Sequence, residues 1–378
     1  MTDREKLIQY VKHGGDKVLC SPQIGAGAGF DTRLAGKTWI SETTFEDTRK
    51  ACSLFDITPL FNFPLPDLTL LTDNSKYESV KTVDGTKRHT HTRFKTPKGD
   101  LISHTVEQER NGSVMTKYLI TDEEELSVLE YYLDTLLEVK DFTPITEKTA
   151  EIRKAVGDGS ALDIQWSMQP YELMCFPDTM NTAIFAKTCP DVFKRLMDKI
   201  LRLNEFLIPA VARGGVDFVF LGGPGSEMIS PQYYEEFIVP YSSVLSQIAH
   251  DNGMLIYSHI CSPIEPMLTM GYYNRMGIDL FETLSEAPVG NIKSIGDAFG
   301  KLDPDICTRG NVGLDKLLLA RPEEILEISL SILEKAKNMG RKHILAASDY
   351  LFYDIKEENV RAMVKAVKMA NSGKGLLP

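Results

Sequence analysis

From about residue 155 onward, short apolar runs alternate with longer stretches whose apolar positions recur at helical spacing. The runs Ala161 to Trp166, Asp217 to Leu221, Gly253 to Cys261, Ile278 to Glu282, Ile306 to Val312 and His343 to Ala347 read as strands. Between them the pattern predicts helices from Pro190 to about Arg213, from Ser230-Pro231 to about Asn252, from Ser262, from about Pro322 to Asn338 and from Glu357 to about Ala370. Ser230 has the chemistry of an N-cap and Pro231 that of a first helical residue, while Pro240 must kink or divide the helix it sits in. Strand–helix alternation over this length means βαβ units around a parallel sheet. The expected fold is an α/β protein, a closed (β/α)₈ TIM barrel forming one domain over residues 1–378, with a doubly wound open sheet as the alternative. No Gly-x-Gly-x-x-Gly opens a helix after the first strand, which weakens that alternative.

Residues 78–120 follow a different pattern. Val80 to Phe94 and Leu101 to Tyr118 are rich in Thr and Val and alternate in polarity, and Thr96-Pro97-Lys98-Gly99-Asp100 between them is a turn signal. This predicts an inserted β-hairpin or small sheet in the N-terminal half, either a cover for the barrel mouth or surface decoration. His89, His91 and His104 lie on it and are expected to face solvent.

Composition narrows the partners. The 378 residues are 43% hydrophobic and 25% charged, with 42 basic against 53 acidic side chains and a net charge of −11. That balance, without a basic block, argues against nucleic acid. No stretch of about 18 apolar residues suggests a membrane span. The charged start Met1-Thr2-Asp3-Arg4-Glu5-Lys6 reads as a helix and not a signal peptide. Six cysteines without framework spacing are expected to be free thiols in a reducing cytoplasm.

Candidate chemistry concentrates where the apolar run ending at Tyr257 gives way to Ser258-His259-Ile260-Cys261-Ser262. Alternate residues of a strand point the same way, so His259 and Cys261 can reach one point, and imidazole with thiolate is a zinc-type donor pair. The plainer reading is a satisfied core pair. A catalytic zinc takes about three protein ligands; the third would come from another strand end, with Asp349 one candidate, Cys307 a second, and Glu227 and Glu282 weaker ones. In a barrel, chemistry gathers at the C-terminal ends of strands, where this pattern puts Gly222, His259, Cys261, Glu282, Asn311 and Asp349. The turn Gly222-Gly223-Pro224-Gly225 permits close backbone approach to a cofactor, or is simply a tight connection. Arg309 and Asn311 could present polar groups to substrate. Tyr257, Asn311 and Asp349 are the candidate catalytic residues.

These segments together resemble the uroporphyrinogen decarboxylase superfamily. The resemblance rests on Asp217 through Ser230-Pro231, Phe237 and Pro240-Tyr241, on His259-x-Cys261, on Gly310-Asn311-Val312, and on Ile344-Leu345, Asp349 and Glu358-Asn359-Val360. It implies a single (β/α)₈ barrel with its site at the C-terminal mouth. One branch decarboxylates uroporphyrinogen without metal and carries an Arg-rich N-terminal motif; Phe30 to Lys37 has one Arg in a different frame. The other branch, which includes methylcobalamin:coenzyme M methyltransferases, uses zinc on His-x-Cys and a distant Cys. His259 and Cys261 match that motif, whereas Asp349 stands where the distant Cys would be. The resemblance therefore implies zinc, a corrinoid (cobalamin) supplied by a partner protein, and methyl transfer with a small-molecule thiol, methyl ether or tetrahydrofolate-type compound. It also implies a tendency to homodimerise. A decarboxylase and a non-catalytic corrinoid-binding accessory protein are the alternatives.

Overall fold

A computed structural model describes residues 1–25 and 27–373. Its centre is a seven-stranded parallel sheet: β1 (Leu60–Pro64), β6 (Ala161–Gln165), β7 (Phe218–Leu221), β8 (Leu255–His259), β9 (Leu280–Glu282), β10 (Cys307–Val312) and β11 (His343–Ala347). Their spatial order is their chain order, β1-β6-β7-β8-β9-β10-β11. A doubly wound sheet reverses its order at a switch point; this one never does, and it curls. The segment Leu19 to Ser21 bridges its two edges. Leu345 N donates to Leu19 O and Ser21 N to Leu345 O on one side, and Thr58 N donates to Cys20 O just before β1 on the other. The architecture is α/β and TIM-barrel-like, with helices such as Pro190–Arg213 and Pro322–Asn338 outside.

Strand alternation sorts the interior by height. First positions of the strands form an apolar floor of Leu60, Ala161, Phe218, Leu255, Leu280 and Cys307, packed against Leu7, Tyr10 and Val11 of the helix Asp3–His13. That helix starts in a capping box made by Thr2 and Glu5. It is fixed to the floor by Arg4, whose Nε donates to Asp217 Oδ1 at 2.8 Å, and by Tyr10, whose hydroxyl donates to His343 O at 2.9 Å. Two residues further up, the interior turns polar on five of these six strands, with Asn62, Asp163, Tyr257, Glu282 and Arg309, while β7 presents Phe220. Another step up brings His259 and Asn311.

Ser230 caps the helix that starts at Pro231, its side chain accepting from Tyr233 N. The helix does not break at Pro240. It widens into a π-helical stretch, Tyr234–Ile238, before continuing as Val239–Asp251. Pro240 has no N–H to donate, and the wider turn just before it absorbs the lost bond. After Ser262 the helix begins only at Glu265.

Of the hairpin and the small sheet expected for the region 78–120, the structure has the sheet: β2 (Tyr77–Asp84), β3 (Lys87–Thr96), β4 (Gly99–Gln108) and β5 (Gly112–Lys117), an antiparallel meander. The expected turn joins β3 to β4, with Thr96 opposite Gly99. Each expected arm folds once more, at Gly85 and before Gly112, both at positive φ. Glu107 of β4 ties the meander to the barrel, accepting from Ser41 N at 2.9 Å and Ser41 Oγ at 2.8 Å.

Candidate functional site

β8 carries Leu255, Tyr257 and His259 up one interior face, and Cys261 follows just beyond the strand end. Asp349 stands two residues past β11. One ligand atom from each of His259, Cys261 and Asp349 lies within 4.8 Å of the others, and this is the one such group among the described residues. His259 is 8% exposed, and its Nε2 is 3.3 Å from Asp349 Oδ1. Asp349 is held in place by Tyr350 N, which donates to the same oxygen at 2.7 Å.

Glu282 acts from below. The β8–β9 register sets it opposite His259, and its Oε1 lies 2.5 Å from His259 Nδ1. With Nδ1 donating to Glu282, the imidazole turns Nε2 toward Cys261 and Asp349; a carboxylate behind the ring is the usual support of a metal-ligating histidine. Tyr257 donates its hydroxyl to the same Glu282 oxygen. Arg309 Nε is 3.3 Å from Glu282 Oε2 and donates to Ser21 O at 2.7 Å. Asn62 Nδ2 donates to Asp163 Oδ1 at 2.6 Å.

These charges reinforce one another. Burial opposes ionisation of Glu282, but Arg309 and His259 outweigh it and hold the carboxyl below its ordinary value. Burial likewise opposes an imidazolium at His259, yet Asp349, Cys261 and Glu282 carry its pKa well above the usual one. Asp349 is held low by His259 against its own burial. Positive charge is thus favoured at the point the three side chains share. A soft and borderline donor set of imidazole, thiol and carboxylate at that point fits zinc.

The other candidate residues fall elsewhere. Cys307 opens β10 and so sits in the barrel floor, fully buried, its thiol pushed up to about 12 by burial. It cannot reach His259: residues at the start of a parallel strand face the N-terminal end of the barrel, not the mouth. Glu227 is exposed in the loop after β7 and outside the cluster. Glu282 supports the imidazole and is not one of the three clustered donors. Arg309 is buried under the site beside Glu282 rather than turned to the mouth. Tyr257 is 1% exposed and reaches Glu282. Asn311 is at the rim, its Nδ2 donating to Leu284 O at 2.7 Å.

Gly222 and Gly223 lie in the loop after β7. Gly222 O accepts from the Tyr171 hydroxyl at 3.1 Å, and a Cβ on Gly223 would stand 3.2 Å from the Tyr234 hydroxyl oxygen. Close approach is strictest at Gly225, where a Cβ would be 2.5 Å from Ser262 Cβ, beside Cys261. The histidines of the meander stack on one another, His91 on His104 with centroids 4.0 Å apart. Sequence reasoning passed over Asp163 and the N-terminal segment. A carboxylate inside the apolar run Ala161-Leu162-Asp163-Ile164 was the available signal, since such a residue is seldom buried unless it is used.

Comparison with known proteins adds three findings. The family model described as uroporphyrinogen decarboxylase (URO-D) matches residues 104–370. A uroporphyrinogen decarboxylase of Coxiella burnetii is 25% identical over 222 residues, covering 54% of this chain and 57% of that enzyme. One from Prochlorococcus marinus is 23% identical over 258 residues, 63% of this chain and 69% of that enzyme. The chain thus aligns with little more than half the length of the Coxiella relative. Among solved structures, a methyltransferase from Methanosarcina mazei superposes with a TM-score of 0.67 at 17% identity, over 97% of this chain and 98% of that one. That likeness is one of fold. No helix among the described residues is long and apolar enough to cross a membrane.

Proposed function

The chain belongs to the uroporphyrinogen decarboxylase family, and from that premise we propose that it is a zinc methyltransferase, moving a methyl group between the corrinoid of a partner protein and a small-molecule donor or acceptor. The observation that carries the reading is the convergence of His259, Cys261 and Asp349 with Glu282 behind the imidazole. A decarboxylase that works without metal has no need of such a donor set.

His259, Cys261 and Asp349 would hold the zinc, and Tyr257, Glu282 and Arg309 would fix the histidine's tautomer and orientation. Bound there, zinc supplies Lewis acidity, lowering the pKa of a thiol acceptor or polarising the heteroatom of a methyl donor. Glu282 accepts the Nδ1–H bond, so Nε2 is the nitrogen that would hold the metal, which would displace its proton. Arg309, buried at 3% exposure, balances the Glu282 charge, so the support does not cost an unpaired buried ion. Phe220 and Tyr350 flank the imidazole, with ring centroids 6.0 and 5.3 Å away, and keep water from its faces. Asn311 and the Gly222-Gly223 loop stand at the rim, where substrate or corrinoid would approach.

Zinc analysis together with a methyl-transfer assay tests this. The purified chain should carry about one zinc, lost in His259→Ala and Cys261→Ala, and should demethylate methylcobalamin or a methylated corrinoid protein in the presence of a suitable thiol. A metal-free protein of undiminished activity would overturn it. The names of the curated relatives favour a second reading, decarboxylation of uroporphyrinogen; release of carbon dioxide from that substrate, unaffected by Cys261→Ala, would establish it instead.

A further inference from the structure

A large cavity lies apart from the three clustered donors, none of which lines it. It measures about 770 Å³ and lies on the β1–β6 side of the mouth, between the N-terminal segments and the meander. Its volume suits a small-molecule ligand. Asn62 lines it and also bonds Asp163, the buried acid that feels Arg309, Glu282 and His259, so its wall is continuous with the groups under the site.

The charge of this wall is one-sided. Among the described residues no lining residue is basic, while Asp31 and Glu107 are both acidic. Glu107 has Arg88 at 3.9 Å, but that guanidinium is stacked on Trp39 and paired with Glu42 at 2.5 Å. Asp31 is 1% exposed. It accepts from Thr48 Oγ1 at 2.5 Å and Thr32 N at 3.0 Å, and no cation lies within ion-pairing distance of it among the described residues. A buried carboxylate is ordinarily paired with positive charge. Here it lies in the wall of the cavity with Phe45 and Phe61, an edge-to-face aromatic pair with centroids 6.0 Å apart, the Arg49 guanidinium standing 5.9 Å from the Phe61 ring. A carboxylate beside aromatic rings is the recognition chemistry of an ammonium group.

We propose that this cavity receives the ammonium-bearing end of a small-molecule ligand, with Asp31 as counter-ion and Phe45 and Phe61 as aromatic walls. The assignment deepens the methyl-transfer reading, since it takes the barrel mouth as the place where substrate is held, and it sets the substrate class as cationic. A polycarboxylate such as uroporphyrinogen would meet two acids and no base in this wall.

Calorimetric titration of the full chain with choline, with its neutral isostere 3,3-dimethylbutan-1-ol and with the anionic isostere 3,3-dimethylbutanoate tests the charge preference directly. Choline should bind at least about tenfold more tightly than the alcohol, and the carboxylate more weakly still. Asp31→Asn should bring choline to the level of the alcohol. Should that variant fail to fold, Phe45→Leu, at a half-buried position, should weaken choline alone. Equal binding of choline and the alcohol, preference for the carboxylate, or no binding of choline would overturn the proposal. The titration needs neither zinc nor corrinoid, so its failure is distinguishable from failure of the methyl-transfer assay.

Discussion

His259 Nδ1 lies 2.5 Å from Glu282 Oε1, and the β8–β9 register itself brings the two residues level. The contact turns a strand-end histidine into an oriented one. It puts the ring's other nitrogen toward Cys261 and Asp349 and leaves Glu282 shared with Tyr257 and Arg309 below.

Glu282→Gln keeps the shape of that support and removes its charge. Zinc affinity should fall by roughly 10–100-fold, read by competition with a chromophoric chelator, while His259, Cys261 and Asp349 stay in place. Unchanged affinity would show that Glu282 serves only the fold.

Asp349→Cys places a second thiolate in the cluster. Thiolate is the softer ligand for zinc, so binding should tighten by about tenfold or more. Cys307→Ala, in the barrel floor, should leave zinc affinity where it was. A loss of zinc in the Cys307 variant would contradict the assignment of ligands.

His343 gives a stability signature in mild acid. Its Nε2 donates to Gly310 O at 3.0 Å and its Nδ1 is 3.0 Å from the Thr308 hydroxyl, and the ring is buried, which favours its neutral form. Burial pushes its pKa down to about 4. The unfolded chain takes up the proton near pH 6.5. The stabilisation is therefore complete above that pH and is lost as pH falls toward 4, with a slope of up to about 1.4 kcal/mol per pH unit. Urea midpoints measured across this window should decline, and His343→Asn should be less stable at pH 7 but flatter in its dependence. The same slope in both proteins would rule this residue out as the cause.

Asp217 joins the floor to its surroundings, with Arg153 Nη1 at 3.1 Å, Arg4 Nε at 2.8 Å and Leu162 N at 2.9 Å. Asp217→Ala leaves Arg153 buried without its partner and should cost about 3–5 kcal/mol. Urea unfolding measures it; a cost under about 1 kcal/mol would mean Arg153 finds solvent instead.

Legibility in the sequence followed burial. Strands β6 to β11 are largely buried runs, mostly apolar, between helices, and the helices Pro190–Arg213 and Pro322–Asn338 carry long apolar stripes, so their order can be read from hydrophobic spacing. The stave at Leu19 to Ser21 and β1 could not be read, because one is three residues long and the other, Leu-Phe-Asn-Phe-Pro, is short and ends in proline. In the meander, continuous alternation hid the two extra turns, since a mostly exposed antiparallel sheet keeps the same period through each reversal.

The sequence by itself determined the alternation of strands and helices, the capped entry at Ser230-Pro231, and the shared direction of His259 and Cys261, because all three depend on spacing within one segment. Which residues join that pair was decided only by tertiary structure. Asp349 reaches it from β11, and Glu282 supports it across the β8–β9 register. Cys307, equally eligible as a thiol, is excluded by standing at the wrong end of its strand. Height within a barrel depends on where each strand begins relative to its neighbours, and that register is set by packing between segments far apart in the chain. The cavity beside Asp31 arises the same way, from N-terminal segments, two strand ends and the meander, whose nearness no local pattern records.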